Sequence, residues 1–153
     1  KNSGIEVPED CVIIAVKCKT VGPKEIMSRE KLSPVLAVYK VADDVEGFKK
    51  SKEMLEFNGL GHTAAIHSNN KEHIDYAGVK LTISRLVVNA SSSTTAGGSL
   101  MNGLAPTTTL GCGTWGNNVI SENLDYKHLI NVSRIATVIE GIKVPTDEEI
   151  WAK

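Results

Sequence analysis

Cys112 lies between Gly111 and Gly113 in "TLGCGTWGNN", residues 109–118, and its thiol could do covalent chemistry. A thiol becomes a nucleophile when a base, a cation or a helix N-terminus stabilises its thiolate. No histidine or lysine occurs within several residues of Cys112, so its neighbours in sequence supply none of these. Glycines on both sides would let a substrate approach closely, but glycines also simply permit sharp turns around an inert thiol. Both readings stay open on the local sequence. Gly111, Gly113 and Gly116 share the spacing GxGxxG. A phosphate cradle also needs a strand leading into that spacing and a helix leaving it, and the sequence predicts neither. Trp115, in the same glycine-rich stretch, is expected to pack rather than to stack on a ligand.

The remaining candidates are weaker taken singly. His62 precedes Thr63 in "GLGHTAAIHS", where a histidine can serve proton transfer or hydrogen-bond a neighbouring loop. Glu30 in "SREKLSP" reads locally as a solvated glutamate. His62, His67, His73 and His128 are scattered and match no zinc spacing, so no metal site is expected. Cys11, Cys18 and Cys112 cannot all pair, and the Cys11–Cys18 spacing is not CxxC. Free thiols in a reducing cytoplasm are the expectation.

Positioning these residues falls to alternating elements. "CVIIAV" (11–16) and "PVLAVYKV" (34–41) are unbroken apolar runs, read as strands buried on both faces. "ADDVEGFKKSKEMLEFNG" (42–59) reads as a helix, capped by Asp43 or Asp44, with Val45, Phe48 and Leu55 on one face and Asn58–Gly59 as its stop. "HTAAIHS" (62–68) is a third strand. "NNKEHIDYAGVKLTI" (69–83) is a second helix, with Asn69 as cap and a stripe of Ile74, Ala77, Gly78 and Leu81. "RLVVNA" (85–90) is a fourth strand. Strand, helix, strand, helix, strand predicts an α/β fold with a parallel sheet and right-handed crossovers. Residues 91–118 are small and aperiodic, a long loop of the kind that is often functional. "KHLINVSRIATVI" (127–139) is expected to include a strand, and the charged end to hold a turn capped at Thr146.

Composition excludes some classes. With 17 basic residues against 18 acidic ones, the chain is not expected to bind nucleic acid through bulk phosphate attraction. No apolar stretch is long enough to span a bilayer, so no membrane partner is expected. At 153 residues one domain is expected, and a start at Lys1 without methionine suggests a fragment.

The combination of "EKLSPVLAVYK" (30–40), "GLGHTAAIHS" (59–68), "RLVVNASSSTTAGG" (85–98) and "LAPTTTLGCGTWGNNVISENLDYKHLIN" (104–131), in that order, resembles the carboxy-terminal part of the CoA-acylating aldehyde dehydrogenases. The resemblance implies that an aldehyde is attacked by a cysteine thiolate, that hydride passes to NAD or NADP, and that coenzyme A releases the acyl group from the thioester. The reverse direction reduces acyl-CoA to aldehyde. It implies that Glu30 contacts the cofactor ribose, that His62 and Thr63 lie near the catalytic cleft, and that Thr109, Leu110, Gly111, Cys112 and Gly113 form a loop beside the substrate pocket. Leu32 stands where the wider superfamily often has an aromatic residue. Residues 1–126 would be a portion of the catalytic domain, with its long loop at 91–118. Residues 127–153 would be a strand and tail serving a homo-oligomer. The implied partners are a small aldehyde or acyl-CoA, in the cytoplasm or a bacterial microcompartment.

One departure is large. In that family the nucleophilic cysteine and the nucleotide-binding fold lie upstream of the strand that "CVIIAV" resembles, and neither Cys11 nor Cys18 matches the nucleophile's motif. The chain alone is therefore expected to be inactive. A non-catalytic α/β assembly module, and an unrelated thiol enzyme using Cys112, remain the alternatives. The segment "SSSTTAGGSLMNG" carries no cation for a carboxylate-bearing aldehyde, which leans away from succinate semialdehyde, although Arg85 and Arg134 could supply one in space.

Overall fold

The computed structural model describes residues 6–152. Strand β1 (Ile14–Cys18) pairs in parallel with β2 (Val35–Tyr39), from Ile14 opposite Val35 to Cys18 opposite Tyr39. Helix α1 (Asp44–Asn58) follows. Strand β3 (Gly61–Ile66), helix α2 (Lys71–Lys80) and strand β4 (Ile83–Val88) then form a β-α-β unit, with β3 and β4 parallel. The α/β fold with parallel strands is as the sequence predicts, but it contains two separate two-stranded ladders. Among the described residues no hydrogen-bonded pairing joins β2 to β3.

The helices begin and end for identifiable reasons. Asp43 caps α1 by accepting the Glu46 N–H at 2.8 Å, while the Glu46 carboxylate accepts the Ala42 N–H at 2.7 Å. These bonds satisfy donors that a helix start leaves unpaired. Gly59, at φ 131°, ends α1 in a conformation that a side chain would resist. Asn70, rather than Asn69, caps α2, accepting the Glu72 N–H at 2.9 Å. Asn69 sits one residue too early because the helix starts at Lys71.

Ala77, Leu81 and Ile83 form the buried core, with Phe48, Leu55, Ala64, Ile66 and Leu86 packed against it. Of the expected stripes, Phe48 and Leu55 meet Ala77 and Leu81 in this core, whereas Val45, in the first turn of α1, is 71% exposed. The β1–β2 ladder differs from expectation. Ile14, Leu36 and Val38 are 44%, 53% and 41% exposed, so that ladder is not buried on both faces. A two-stranded ladder covers little of itself, and the exposed side chains lie on both of its faces, Ile14 on the Val35 side and Leu36 and Val38 on the other.

Residues 91–118 are less irregular than their composition predicts. They contain the short helix α3 (Ser92–Thr95) and one arm of an antiparallel pairing described below. Residues 129–139 take no strand. Their apolar side chains face solvent, with no neighbouring strand to pair with among the described residues. The final helix α4 (Asp147–Trp151) is capped by Thr146, as expected, through a reciprocal pair of bonds with Glu149.

Candidate active site

The loop at 109–118 is one side of a narrow hairpin. Leu110 and Asn123 form an antiparallel bridge. Gly111 N–H donates to the Glu122 carbonyl at 3.1 Å, Gly113 N–H to the Ile120 carbonyl at 2.9 Å, and Leu124 N–H to the Thr109 carbonyl at 3.0 Å. At the tip, the Asn118 side-chain oxygen accepts from both Cys112 N–H (3.0 Å) and Gly113 N–H (2.9 Å). The amides of Gly111, Cys112 and Gly113 are therefore all committed within the chain. They form no phosphate cradle, and the GxGxxG spacing is a turn signature here.

This hairpin sits directly on the start of β3. Gly61 is at φ +85°, and a Cβ there would run into the carbonyl oxygen of Cys112. A Cβ on Gly116 would likewise run into the Cys112 Cβ. Only glycine permits such an approach at either place. The result brings Cys112 Sγ to 3.7 Å from His62 Nδ1, across fifty residues of sequence. The base missing from the local sequence is supplied by the fold. Cys112 is nevertheless buried, at 8% exposure, while His62 is exposed.

Arg85 ties the two elements together. It pairs with Thr63 in the β3–β4 register, and its Nε donates to the Thr63 hydroxyl at 2.9 Å. Its Nη1 donates to the Gly111 carbonyl at 2.7 Å. Thr63 follows His62 and Gly111 precedes Cys112, so one guanidinium fastens both neighbours of the His62–Cys112 contact.

His62 also lines a cleft of about 450 Å³, together with residues that include Glu30, Val35, Leu55 and Asn58. Asn58 fixes its rim: its Oδ1 accepts the Glu30 N–H at 2.9 Å and its Nδ2 donates to the Ser28 carbonyl at 2.9 Å. Glu30 is exposed, and its carboxylate makes no hydrogen bond within the chain among the described residues. A carboxylate held by its backbone and free at its tip can accept from a sugar hydroxyl.

The far end of the hairpin is polar. Lys127 Nζ donates to Glu122 Oε2 at 3.0 Å, and His128 Nε2 lies 3.1 Å from Glu122 Oε1. The Lys127 bond, and after it the His128 bond, hold the Glu122 carboxyl below the usual carboxylate range. Asn123, buried beside it, donates to the carbonyls of Ala96 (3.0 Å) and Ala105 (2.8 Å), which fastens the 96–105 segment to the hairpin.

No family model matches the chain. It is 52% identical to the succinate-semialdehyde dehydrogenase (acetylating) of Clostridium kluyveri, over 97% of this chain and 33% of that protein. It is 38% identical to a sulfoacetaldehyde dehydrogenase of an Acholeplasma species, over 98% and 31%. The crystal structure of an acetylating aldehyde dehydrogenase from Geobacillus thermoglucosidasius superposes with a TM-score of 0.83 at 36% identity, covering 93% of this chain and 31% of that one. The homologues of this chain are acylating aldehyde dehydrogenases. The chain spans about a third of the length of these relatives.

Against that acylating aldehyde dehydrogenase background, the structure sorts the residues expected from sequence. Glu30 and His62 line one cleft, although 32 positions separate them. Cys112 contacts His62 without lining that cleft, and Gly111 is held by Arg85. None of Thr109, Leu110, Gly111, Cys112 and Gly113 lines the Glu30 cleft, and Thr109 and Leu110 belong to the hairpin ladder. Leu32 is 95% exposed and also lies outside that cleft. Trp115 is 53% exposed rather than packed, because the hairpin tip turns it outward. Sequence reasoning missed Asn58, Asn118 and Asn123, which act through backbone partners that no motif records. Arg85 carried a signal, a charge inside the apolar run "RLVVN", but was read only as a possible cation for substrate.

Proposed function

We propose that this chain is a carboxy-terminal portion of the catalytic domain of an NAD(P)-dependent, CoA-acylating aldehyde dehydrogenase. In the intact enzyme, a small aldehyde plus coenzyme A is interconverted with acyl-CoA through a cysteine thioester. The observation that carries this reading is the cleft that Glu30 and His62 share, with the hairpin seated against His62. Support also comes from relatives named for acetylating or acylating activity, at 52% and 36% identity, each aligned over about a third of its length.

Each residue then has a task. Glu30 accepts a hydrogen bond from a ribose hydroxyl, with Asn58 holding its backbone in place. When bound, NAD(P) supplies the hydride acceptor. His62 borders the same cleft, where an imidazole can hold or move a proton near neutral pH. The hairpin does not line that cleft; it acts on it through its contact with His62. The reacting cysteine and the nucleotide-binding fold belong to the rest of the enzyme, so this chain alone is inactive. A cytoplasmic or microcompartment enzyme that works as a homo-oligomer completes the reading.

The test is a kinetic split in the complete protein, using acetaldehyde, succinate semialdehyde and sulfoacetaldehyde as a panel. Glu30→Gln raises KM for NAD(P) more than it lowers kcat. His62→Ala lowers kcat by roughly 10²- to 10⁴-fold, the usual scale of a lost acid–base group. Unchanged kinetics in both variants overturn the assignment.

A second reading makes Cys112 the nucleophile of a thiol enzyme, favoured by its 3.7 Å contact with His62. Its burial opposes that reading. Rapid, selective alkylation of Cys112 near neutral pH would establish it, and slow labelling rules it out.

A further inference from the structure

Arg85 is 5% exposed, yet no carboxylate lies within ion-pair distance of it among the described residues. Its Nη2 is buried with no hydrogen-bond partner. Burying a cation without a counter-charge is unfavourable, and a leucine or valine at this strand position would fill the space at lower cost. What the guanidinium gains is geometric. Nε and Nη1 project from one rigid plane, so bonds of 2.9 Å to the Thr63 hydroxyl and 2.7 Å to the Gly111 carbonyl fix the spacing between β3 and the hairpin. Those two acceptors are the immediate neighbours of His62 and Cys112. Gly61 and Gly116 remove the side chains that would hold the hairpin off, but removing bulk does not set a position. The bonds of Arg85 do.

We infer that Arg85 is the positioning residue of this site: its guanidinium sets the hairpin on the start of β3 and so fixes His62 at the mouth of the cleft. This deepens the functional reading given above and rests on it only for its catalytic consequence. Lysine cannot substitute fully, because a single ammonium on a flexible stem does not hold two acceptors in one plane.

The experiment compares wild type, Arg85→Ala, Arg85→Lys and Thr63→Val in the complete protein that carries this chain. Iodoacetamide labelling of each cysteine is followed by peptide mass spectrometry. Cys112 and Cys18 are both buried, but Cys18 belongs to the β1–β2 ladder and serves as the internal control. Loss of a charge-assisted hydrogen bond raises local opening, and hence Cys112 labelling, by roughly 10- to 100-fold in Arg85→Ala. Arg85→Lys and Thr63→Val, which keep a charge or the shape, fall between it and wild type, and Cys18 labelling stays constant in all. In the same variants kcat falls in the same order while KM for NAD(P) changes little.

Cys112 and Cys18 labelling rising together would mean global loosening and would overturn the inference. So would unchanged Cys112 labelling, or selective labelling with unchanged kcat. If Arg85→Ala does not fold, Thr63→Val and Arg85→Lys decide by the same comparison. Labelling needs no substrate, so a wild-type protein without acylating activity would refute the functional reading while the clamp remained measurable.

Discussion

His62 is one residue past the first position of β3, and much of the site's geometry is decided there. Gly61 before it lies against the Cys112 carbonyl, and Thr63 after it receives Arg85. A Gly61→Ala variant would place a methyl group into that carbonyl at φ +85°, where an L side chain is strained even in open space. We expect a loss of roughly 1–3 kcal/mol from backbone strain, with the steric displacement of the hairpin in addition. The check is thermal denaturation combined with Cys112 labelling: stability should fall and labelling should rise. A variant as stable as wild type, with Cys112 still protected, would contradict the close approach described here.

Among the elements, the hairpin Thr109–Leu124 carries a carboxylate whose shift predicts a pH dependence. Glu122 at its base has a carboxyl lowered first by the Lys127 hydrogen bond and then by His128. A lowered carboxylate stabilises the folded state fully above its unfolded value. That contribution fades as pH falls below the ordinary carboxylate value, and is gone beneath the lowered folded value. Protection of the Gly111 and Leu124 amides, whose N–H groups donate across the hairpin, should therefore fall on acidification through that range when exchange is referred to the intrinsic rate at each pH. Glu122→Gln should remove the dependence, and an identical acid response in that variant would show that Glu122 is not its source.

The elements that the sequence foretold are those with local signals. The Asp43 cap, the Gly59 stop, and the stripe of Ala77 and Leu81 on α2 meeting Phe48 and Leu55 of α1 all follow from short-range spacing. Strand β4 was expected from residue 85 but begins at Ile83, because pairing with Gly61 of β3 extends it. The hairpin was hidden because its ladder is made by backbone groups of glycines and small polar residues, which have no hydrophobic period to read. The contact between His62 and Cys112 depends on fifty residues of intervening fold, which no local window contains. Resemblance to a family pointed to Glu30 and His62, and the structure supplied the cleft that they share.

At the scale of the whole molecule, apolar surface dominates one end. Ile135 and Val138 are 96% and 91% exposed, and Ile130, Val132, Ile139, Ile142 and Val144 accompany them along an extended segment. We propose that these exposed apolar side chains pack against a second copy of the chain. We expect the 153-residue chain to self-associate at micromolar concentration, and the triple variant Ile135→Ser, Val138→Ser, Ile139→Ser to sediment as a smaller species. A wild-type chain that sediments as a monomer would remove the role proposed for residues 127–153 in assembly. At the same scale, we propose that part of the active site lies in this chain and that the chemistry needs the rest of the enzyme. The most direct test of this proposal is CoA-dependent NAD(P)H formation from the aldehyde panel, measured for the complete protein and for residues 1–153 alone. The complete protein should yield acyl-CoA and NAD(P)H in equal amounts, and the chain alone neither. Turnover by the isolated chain, or none by the complete protein with any aldehyde, would contradict the proposal.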